Sequence, residues 1–350
     1  MSRFLETLYE AQKIAFAPFL FKSAAAALKT GLLPGIVKDD TPRTASEWAR
    51  ELSLTDYAVE VMADILVGAR ILTRDAEGRL GSTQVGDLLV LDDMTRVNFL
   101  FADDVNYAGL EKTLDSLLEG RPAGLAAFDA SWRTIYPHLP ELPEDARKAW
   151  FSFDHYHSDR AYRAALEVLR PLAPRTLVDI GGNTGRFTKL FLETFPEADA
   201  FFVDLPAQID HLKDVEALDT VRDRIRTVPI DWLTDAPLTG TESADLYWMS
   251  QFLDCFSFDE ARSILERTRA AMRPGARLAV LEPVVDEQRH EAAMLSLAAT
   301  SLYFTVMANG NSRFFHGQEL RRLFAESGFR IASETPALGI SHTLFVLEAA

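Results

Sequence analysis

The chain has 350 residues, 48% apolar and 25% charged, which suits about two globular domains with ordinary cores. Its net charge of −16 argues against general binding to nucleic acid, and no run approaches the ~18 apolar residues of a membrane span. A single cysteine, Cys255, excludes an intramolecular disulfide and a cysteine-cluster metal site, and the absence of a secretory pattern predicts a cytoplasmic protein.

Residues 1–100 are predicted to form a mainly helical module. Apolar residues recur at helical spacing through the first 30 positions, and a Gly/Pro stretch at 31–34 interrupts the pattern. Thr44 and Glu47 have the spacing of a capping box at a helix start. Residues 68–80 read as a strand, an Asp-Ala-Glu-Gly turn and a return strand. Helices followed by a β-wing indicate a winged-helix module, and the acidic charge favours dimerisation and substrate cover over DNA binding.

The rest of the chain divides into a connecting region, 101–170, and an alternating β-α region, 171–350. The connecting region is helical with Pro and Gly breaks, and it ends in a long predicted helix at 146–169. Further helices are predicted at 187–195, 257–272 and 318–327, and strands at 176–180, 200–203, 225–228, 244–249, 277–281, 329–334 and 343–347. This alternation predicts an α/β fold with a doubly wound, mainly parallel sheet covered by helices on both faces.

A glycine-rich loop, Asp179-Ile-Gly-Gly-Asn-Thr-Gly185, lies at the first strand-to-helix turn of this region. Glycines let the backbone approach a ligand closely, and the following helix directs its N-terminus toward that ligand. The order Gly-Gly-x-x-Gly differs from the dinucleotide fingerprint, and no Lys-Ser/Thr pair of a phosphate loop follows. The loop therefore predicts a nucleotide-like ligand without naming it.

An acid ends the next strand, since Asp204 follows Gly185 by 19 residues, about one helix and one strand. A carboxylate at this place can accept hydrogen bonds from both hydroxyls of a ribose. Taken alone, Asp204 is equally well explained as a turn residue; taken with the glycine loop, it favours ribose binding.

These motifs together resemble the bacterial and plant small-molecule O-methyltransferase family. The stretches that carry the resemblance are 178–185, 203–206, 229–232, 249–260 and 273–282. The resemblance covers residues 10–348. It implies a Rossmann-like class I methyltransferase domain that uses S-adenosylmethionine (SAM) and releases S-adenosylhomocysteine (SAH). It also implies a helical N-terminal domain that makes a homodimer.

The resemblance also implies a cofactor site. The residues it assigns to that site are Asp179, Gly181, Gly182, Gly185, Asp204, Leu205, Asp231, Trp232, Ser250 and Tyr156. Asp204 would hold the ribose, and Leu205, Asp231 and Trp232 would flank the adenine. Ile230 stands where the family has a glycine, a mild departure.

The catalytic stretch departs further from the family pattern. The family reads Leu-Lys-x-x-Leu-His-Asp-Trp, with the histidine as general base, whereas residues 249–256 read Met-Ser-Gln-Phe-Leu-Asp-Cys-Phe. Asp254 thus stands in place of the histidine and Ser250 in place of the lysine. Glu282 aligns with the acid that orients the histidine, and Ser312 replaces a second orienting acid.

An ordinary aspartate with a pKa near ~4 is a poor base for a phenol with a pKa near ~10. Three interpretations remain. Asp254 is a base whose pKa is raised by burial beside Glu282. Alternatively, His155 or His157 on the connecting helix is the base; being two apart, they do not share one helix face. In the third, the acceptor atom is a ring carbon or a nitrogen.

The expected acceptor pocket is aromatic and rich in methionine. Its predicted members are Met294, Tyr303, Phe304, Met307 and Asn309, although core packing explains much of this apolar helix equally well. The leading hypothesis is SAM-dependent O-methylation of a small phenolic aromatic metabolite, with C- or N-methylation close behind. A SAM-binding protein with other chemistry, such as hydroxylation or decarboxylation, and a winged-helix regulator are the competing classes.

Overall fold

The computed structural model describes residues 3–39 and 41–350, which divide into two compact units, Met1–Asp103 and Asp104–Ala350. The connecting region 101–170 thus lies almost entirely with the second unit. Each unit is described by itself below.

The first unit is mainly helical. Its helices are α1 (Arg3–Ala15), α2 (Ala17–Lys29), α3 (Leu32–Lys38), α4 (Ala45–Leu52), α5 (Asp56–Gly68), α6 (Gln84–Leu91) and α7 (Asp93–Leu100). Its short antiparallel sheet has the order β1 (Arg43–Thr44), β3 (Arg79–Ser82), β2 (Leu72–Arg74). The capping box of Thr44 and Glu47 and the predicted hairpin are both present. The break expected at 31–34 is shorter than predicted, because Gly31 turns the chain at φ 85° and α3 tolerates Pro34 in its first turn.

The core of the first unit surrounds Trp48, which is 2% exposed. The apolar pattern of α1, in contrast, does not face this core. Phe4 and Ile14 are 72% and 78% exposed, and Phe16 and Phe19 at the start of α2 are also exposed. The helical periodicity therefore predicted the helices correctly but not a buried face for α1.

The second unit is an α/β domain whose sheet, within the fully described residues 104–350, has seven strands. Its helices are α8 (Thr113–Glu119), α9 (Glu144–Leu169), α10 (Arg186–Thr194), α11 (Pro206–Leu212), α12 (Phe258–Ala271), α13 (Glu291–Tyr303) and α14 (Gly317–Glu326). Its strands are β4 (Thr176–Ile180), β5 (Asp199–Asp204), β6 (Ile225–Pro229), β7 (Leu246–Ser250), β8 (Arg277–Pro283), β9 (Phe329–Leu338) and β10 (His342–Ala349). Of these elements, α11 was not predicted from the sequence.

The strand order is β6-β5-β4-β7-β8-β10-β9. Strands β4 to β8 run parallel, whereas β10 is antiparallel to both β8 and β9. One apolar layer packs α12 and α14 on the sheet, and another packs α9 and α10 on the opposite face. The predicted doubly wound, mainly parallel fold is confirmed. Its strand order reverses between β4 and β7, where ligands bind in such sheets.

Residues Glu291–Ala308 form an apolar stretch of 18 residues with a mean hydropathy of 1.3. It is long and apolar enough to cross a membrane by composition, and so is the bent pair of α2 and α3 taken together. Core helices of soluble proteins meet the same criterion. At the end of this stretch Val306, Met307 and Ala308 are fully buried inside the second unit.

Candidate active site

The glycine loop leaves the carboxyl end of β4 and packs closely on its neighbours. A Cβ atom at Gly181 would lie 2.3 Å from the ring of Phe252, and one at Gly182 would lie 2.3 Å from the ring of Phe202. Gly181 and Gly185 also have positive φ angles of 72° and 75°, which favour glycine. The loop can therefore take this close path only with glycine at these positions.

The Asp204 carboxyl lies beside the loop at the end of β5 and is 8% exposed. It accepts hydrogen bonds from the backbone N–H groups of Asn183 (2.9 Å) and Leu205 (2.7 Å). Burial raises the pKa of Asp204 to about 6 despite these two bonds, which lower it. The two bonds fix both carboxyl oxygens and leave each with further capacity to accept from a ligand hydroxyl.

Two buried polar atoms flank the point where the strand order reverses. Asn183 Oδ1, in the loop after β4, and Ser250 Oγ, at the end of β7, have no hydrogen-bond partner among residues 3–39 and 41–350. Buried polar groups in proteins are almost always paired. Together with Asp204, these atoms fit a polar, nucleoside-bearing ligand such as SAM across the ends of β4, β5 and β7.

Other predicted cofactor residues have different surroundings. Asp179 is 2% exposed and accepts a hydrogen bond from the Thr188 hydroxyl of α10, and burial raises its pKa to about 7. The exposed Asp231 carboxylate accepts from its own turn, at the N–H of Leu233 (2.9 Å). Trp232 is buried in the core, 6.3 Å from Phe252 between ring centroids.

Asp254 and Glu282 form a buried carboxyl pair at the ends of β7 and β8, and they are 2% and 1% exposed. Glu282 Oε1 accepts hydrogen bonds from the N–H groups of Phe252 and Leu253, both at 2.9 Å. Its Oε2 has no hydrogen-bond partner within the described part of the chain, and the Glu282 carboxyl interacts electrostatically with that of Asp254. Burial raises the pKa of both groups, that of Asp254 to about 7 and that of Glu282 well above its usual range.

The hydrogen bond between the two carboxyls lowers the pKa of Asp254 and raises that of Glu282. Of the two groups, Asp254 is therefore the one whose pKa lies near neutral pH. A carboxylate of this kind can accept a proton from a ligand at neutral pH.

The short turn that carries Asp254 is held from a second side. The Asn309 amide donates to the backbone carbonyl of Cys255 and to the Ser312 hydroxyl (2.8 Å). The Cys255 thiol donates to the Asp254 carboxyl at 3.4 Å, and the buried Tyr136 hydroxyl is close enough for Cys255 to raise its pKa. These contacts fix the position of the Asp254 side chain.

Helix α9 covers the glycine loop with three polar contacts. Asn183 donates to Asp154 at 3.0 Å, and His155 Nε2 lies 3.4 Å from the Thr184 hydroxyl. One turn later, Arg186 forms an ion pair with Asp159. A cleft of about 320 Å³ opens beside these contacts, lined by Arg147, Lys148, Phe151, Ser152, His155 and Arg186.

The two histidines of α9 are weak bases. Burial, with Arg186 nearby, lowers the pKa of His155 to about 4, and burial with Arg160 lowers that of His157 to about 4. His157 packs on Phe153, with ring centroids 4.7 Å apart. The other predicted residue of this stretch, Tyr156, has Arg160 over its ring at 4.1 Å.

Comparison with known proteins assigns the arrangement to a family. A family model described as an O-methyltransferase domain matches residues 155–330, half of the chain. The chain belongs to the O-methyltransferase family. Membership confirms the predicted enzyme class, a methyltransferase, and the predicted cofactor, SAM.

Relatives of the methyltransferase act on different atoms. It is 26% identical to the O-methyltransferase SfmM3 of Streptomyces lavendulae over 62% of this chain and 72% of that protein. It is 30% identical to a 3-amino-4-hydroxybenzoate 4-O-methyltransferase of Streptomyces cremeus, over 46% of this chain and 42% of that one. A phenazine-1-carboxylate N-methyltransferase of Pseudomonas aeruginosa is 26% identical over 63% of this chain and 64% of that one. The matched region thus spans less than two thirds of the second and third relatives.

A solved structure has the same fold along nearly the whole chain. The mitomycin 7-O-methyltransferase MmcR superposes with a TM-score of 0.74 at 18% identity, covering 99% of this chain and 98% of the other.

The predicted acceptor residues of the methyltransferase occupy different environments. The Tyr303 hydroxyl accepts from Trp150 Nε1 at 2.7 Å, and Phe304 packs edge-on against Phe314. Met307 is fully buried, and its sulfur fills the space beside Gly109 and Gly124. Met294 is 46% exposed. Asn309, as described above, holds the turn of Asp254.

Four residues of the candidate site were not singled out from the sequence. They are Asp154, Asn183, Phe252 and Tyr136. A signal for Asp154 existed, because it lies in the polar and aromatic stretch 153–159, where only the histidines and Tyr156 were considered. Tyr136 approaches the site only through tertiary packing and leaves no local pattern.

Proposed function

We propose that this methyltransferase transfers the methyl group of SAM to a small aromatic metabolite, with Asp254 as the proton acceptor. The observation that carries the proposal is the buried Asp254–Glu282 carboxyl pair beside the glycine loop. The pKa of Asp254 is raised to about 7, which gives this carboxyl the basicity that the family's histidine would have supplied.

The cofactor residues of this proposal are the glycine loop, Asp204 and Ser250. Asp204 would accept the ribose hydroxyls, and the unpaired Asn183 and Ser250 oxygens would meet polar groups of the cofactor. SAM supplies the methyl group on a positively charged sulfur and becomes neutral SAH when the group has left.

In this proposal Asp254 accepts the proton that the acceptor releases. A phenolic oxygen that gains a methyl group must lose its hydrogen, and Asp254 changes from carboxylate to carboxylic acid as it takes that proton. Glu282 stays protonated, donates to the Asp254 carboxylate and fixes its orientation. Asn309 and Glu282 together hold the turn, so that the base does not have to be ordered during the reaction.

Oxygen is the acceptor atom that the family favours, and a phenol is the acceptor that best suits a base of this pKa. A ring carbon or a nitrogen is the alternative. It is supported by the replacement of the family histidine at Asp254 and by the N-methyltransferase among the relatives. Tyr303, Phe304 and Met294 are the proposed aromatic and apolar contacts of the acceptor.

The test is transfer from SAM carrying a deuterated methyl group to a panel of phenols, aminophenols and electron-rich aromatic rings. Mass spectrometry detects the transfer, and NMR locates the labelled methyl on oxygen, nitrogen or carbon. We expect labelled aryl methyl ethers from the wild type, and their loss with Asp254→Asn. Absence of label from every product, while SAM binds tightly, would contradict methyl transfer to this class of acceptor.

We further propose a cytoplasmic homodimer in which the exposed apolar side chains of α1 and α2 are covered. Phe4, Ile14, Phe16 and Phe19 are between 52% and 78% exposed. Light scattering should give twice the mass of the chain, and charged substitutions at Phe4 and Ile14 should yield monomers.

A further inference from the structure

Asp154 lies in the site but has no role in the proton transfer proposed above. It is on α9, and its carboxyl accepts the side-chain amide of Asn183 at 3.0 Å. The backbone N–H of Asn183 donates in turn to Asp204. A continuous chain of hydrogen bonds therefore joins the ribose-binding acid to Asp154 through one residue of the cofactor loop.

Asp154 is also near the reacting centre. Its charge raises the pKa of Asp254 and that of Tyr303, so it acts on the base and on the proposed acceptor wall. It thus interacts with the cofactor loop on one side and with the proposed base on the other.

The groups around Asp154 compensate the negative charge of its carboxylate poorly. Burial and the neighbouring Asp159 raise the pKa of Asp154 to about 7. Arg186 of α10 lowers this pKa, but it is bound to Asp159 and compensates Asp154 only in part. His155 Nδ1 is 3.6 Å from Asp154, but His155 is uncharged at neutral pH because its pKa is lowered. The remaining groups that interact with Asp154 are Asp254, Tyr162 and Tyr303, none of which is a cation. A buried carboxylate in such surroundings is stabilised by a cation that enters the site.

We propose that Asp154 faces the sulfonium of bound SAM and makes the site prefer the cationic cofactor to neutral SAH. The ionised carboxylate stabilises the positive sulfur of SAM, and this stabilisation disappears when the methyl group and its charge have left. Asp154 thereby favours exchange of spent SAH for fresh SAM. The inference rests on SAM as the cofactor and on no particular acceptor.

Calorimetric titration without acceptor tests the proposal at about pH 8, above the raised pKa of Asp154, where its carboxyl is ionised. The ligands are SAM, SAH and sinefungin, an analogue that carries an ammonium group in place of the methylated sulfonium. Asp154→Asn removes the charge but keeps an oxygen that accepts from Asn183. We expect the variant to bind SAM and sinefungin about tenfold more weakly and SAH within about twofold of the wild type.

The ratio of SAM to SAH affinity within one preparation is the decisive number, because it does not depend on the fraction of folded protein. Asp154→Ser, with a smaller polar side chain, should show the same fall in this ratio. Asp145→Asn, an exposed acid in the first turn of the same helix, should leave the ratio unchanged. Equal weakening of SAM and SAH, or an unchanged ratio in both Asp154 variants, would overturn the proposal. Absence of SAM binding to the wild type would instead contradict the cofactor site itself.

Discussion

Glu282 holds the Asp254 turn through two backbone hydrogen bonds, and its carboxyl interacts with that of Asp254. One side chain thus performs two tasks, since it orders the backbone after β7 and lowers the pKa of Asp254 against the effect of burial. Asp254 is left as the ionisable member of the pair, in the position where the family has a histidine.

Glu282→Ala should lower the free energy of unfolding by about 2–4 kcal/mol, because two buried backbone N–H groups lose their acceptor. Glu282→Gln keeps an amide oxygen for these groups and should cost less than about 1.5 kcal/mol. Urea denaturation of the three proteins measures both values. Equal destabilisation by Ala and Gln would contradict the role of Glu282 as a backbone acceptor.

The contribution of Asp254 to the stability of the ligand-free protein should fall as the pH rises from about 4 to about 7. The pKa of folded Asp254 is raised to about 7 above its unfolded value near ~4, so in this window the folded state keeps a proton that the unfolded state releases. The contribution of Asp254 is full below pH ~4 and is lost as the pH passes through about 7. Asp254→Asn should remove about 1.4 kcal/mol per pH unit from this slope between pH 5 and 6.5. Parallel slopes for the two proteins would mean that the pKa of Asp254 is not raised.

Asp204→Ala should weaken SAM binding by about 10- to 100-fold, because it removes the proposed acceptor of the ribose hydroxyls and frees two N–H groups of the loop. Calorimetry with SAM and with adenosine makes the measurement; adenosine keeps the adenine and the ribose but lacks the methionine part, so a similar fall in affinity for both ligands places the loss at the nucleoside. An unchanged affinity for SAM would exclude Asp204 from the cofactor site.

His157→Asn and His155→Asn should keep methyl transfer within about tenfold of the wild-type rate and leave its pH dependence unchanged. The pKa of each histidine is lowered to about 4, which makes both poor bases near neutral pH. Steady-state rates between pH 5.5 and 9 provide the comparison. If either variant loses the decrease in rate at low pH, that histidine and not Asp254 is the base.

Much of the second unit could be predicted from the sequence because its strands are short apolar runs between clear turn signals. The strand predicted at 176–180 and the helix predicted at 257–272 correspond closely to β4 and α12. The helix at 206–212 was missed because a seven-residue helix that begins at a proline gives little periodicity.

The candidate site was predictable where its residues are close in sequence, as in the glycine loop, and less so where packing brings them together. The family resemblance implied that Asp254 and Glu282 are neighbours, but the raised pKa of each depends on their burial, which the sequence does not show. The approach of Asp154 to Asn183 depends on how α9 lies over the loop, which no local pattern contains.

The most direct test of Asp254 as the proton acceptor is the pH dependence of single-turnover methyl transfer in wild type and Asp254→Asn. Both enzymes are given saturating SAM and a phenol that the panel identifies. We predict a wild-type rate that rises with pH through an apparent pKa near 7. We expect Asp254→Asn to be slower by about 100-fold or more and to lose the fall in rate below pH ~7, while its SAM affinity stays within about threefold of wild type. An Asp254→Asn enzyme that keeps both the rate and this fall at low pH would contradict Asp254 as the proton acceptor.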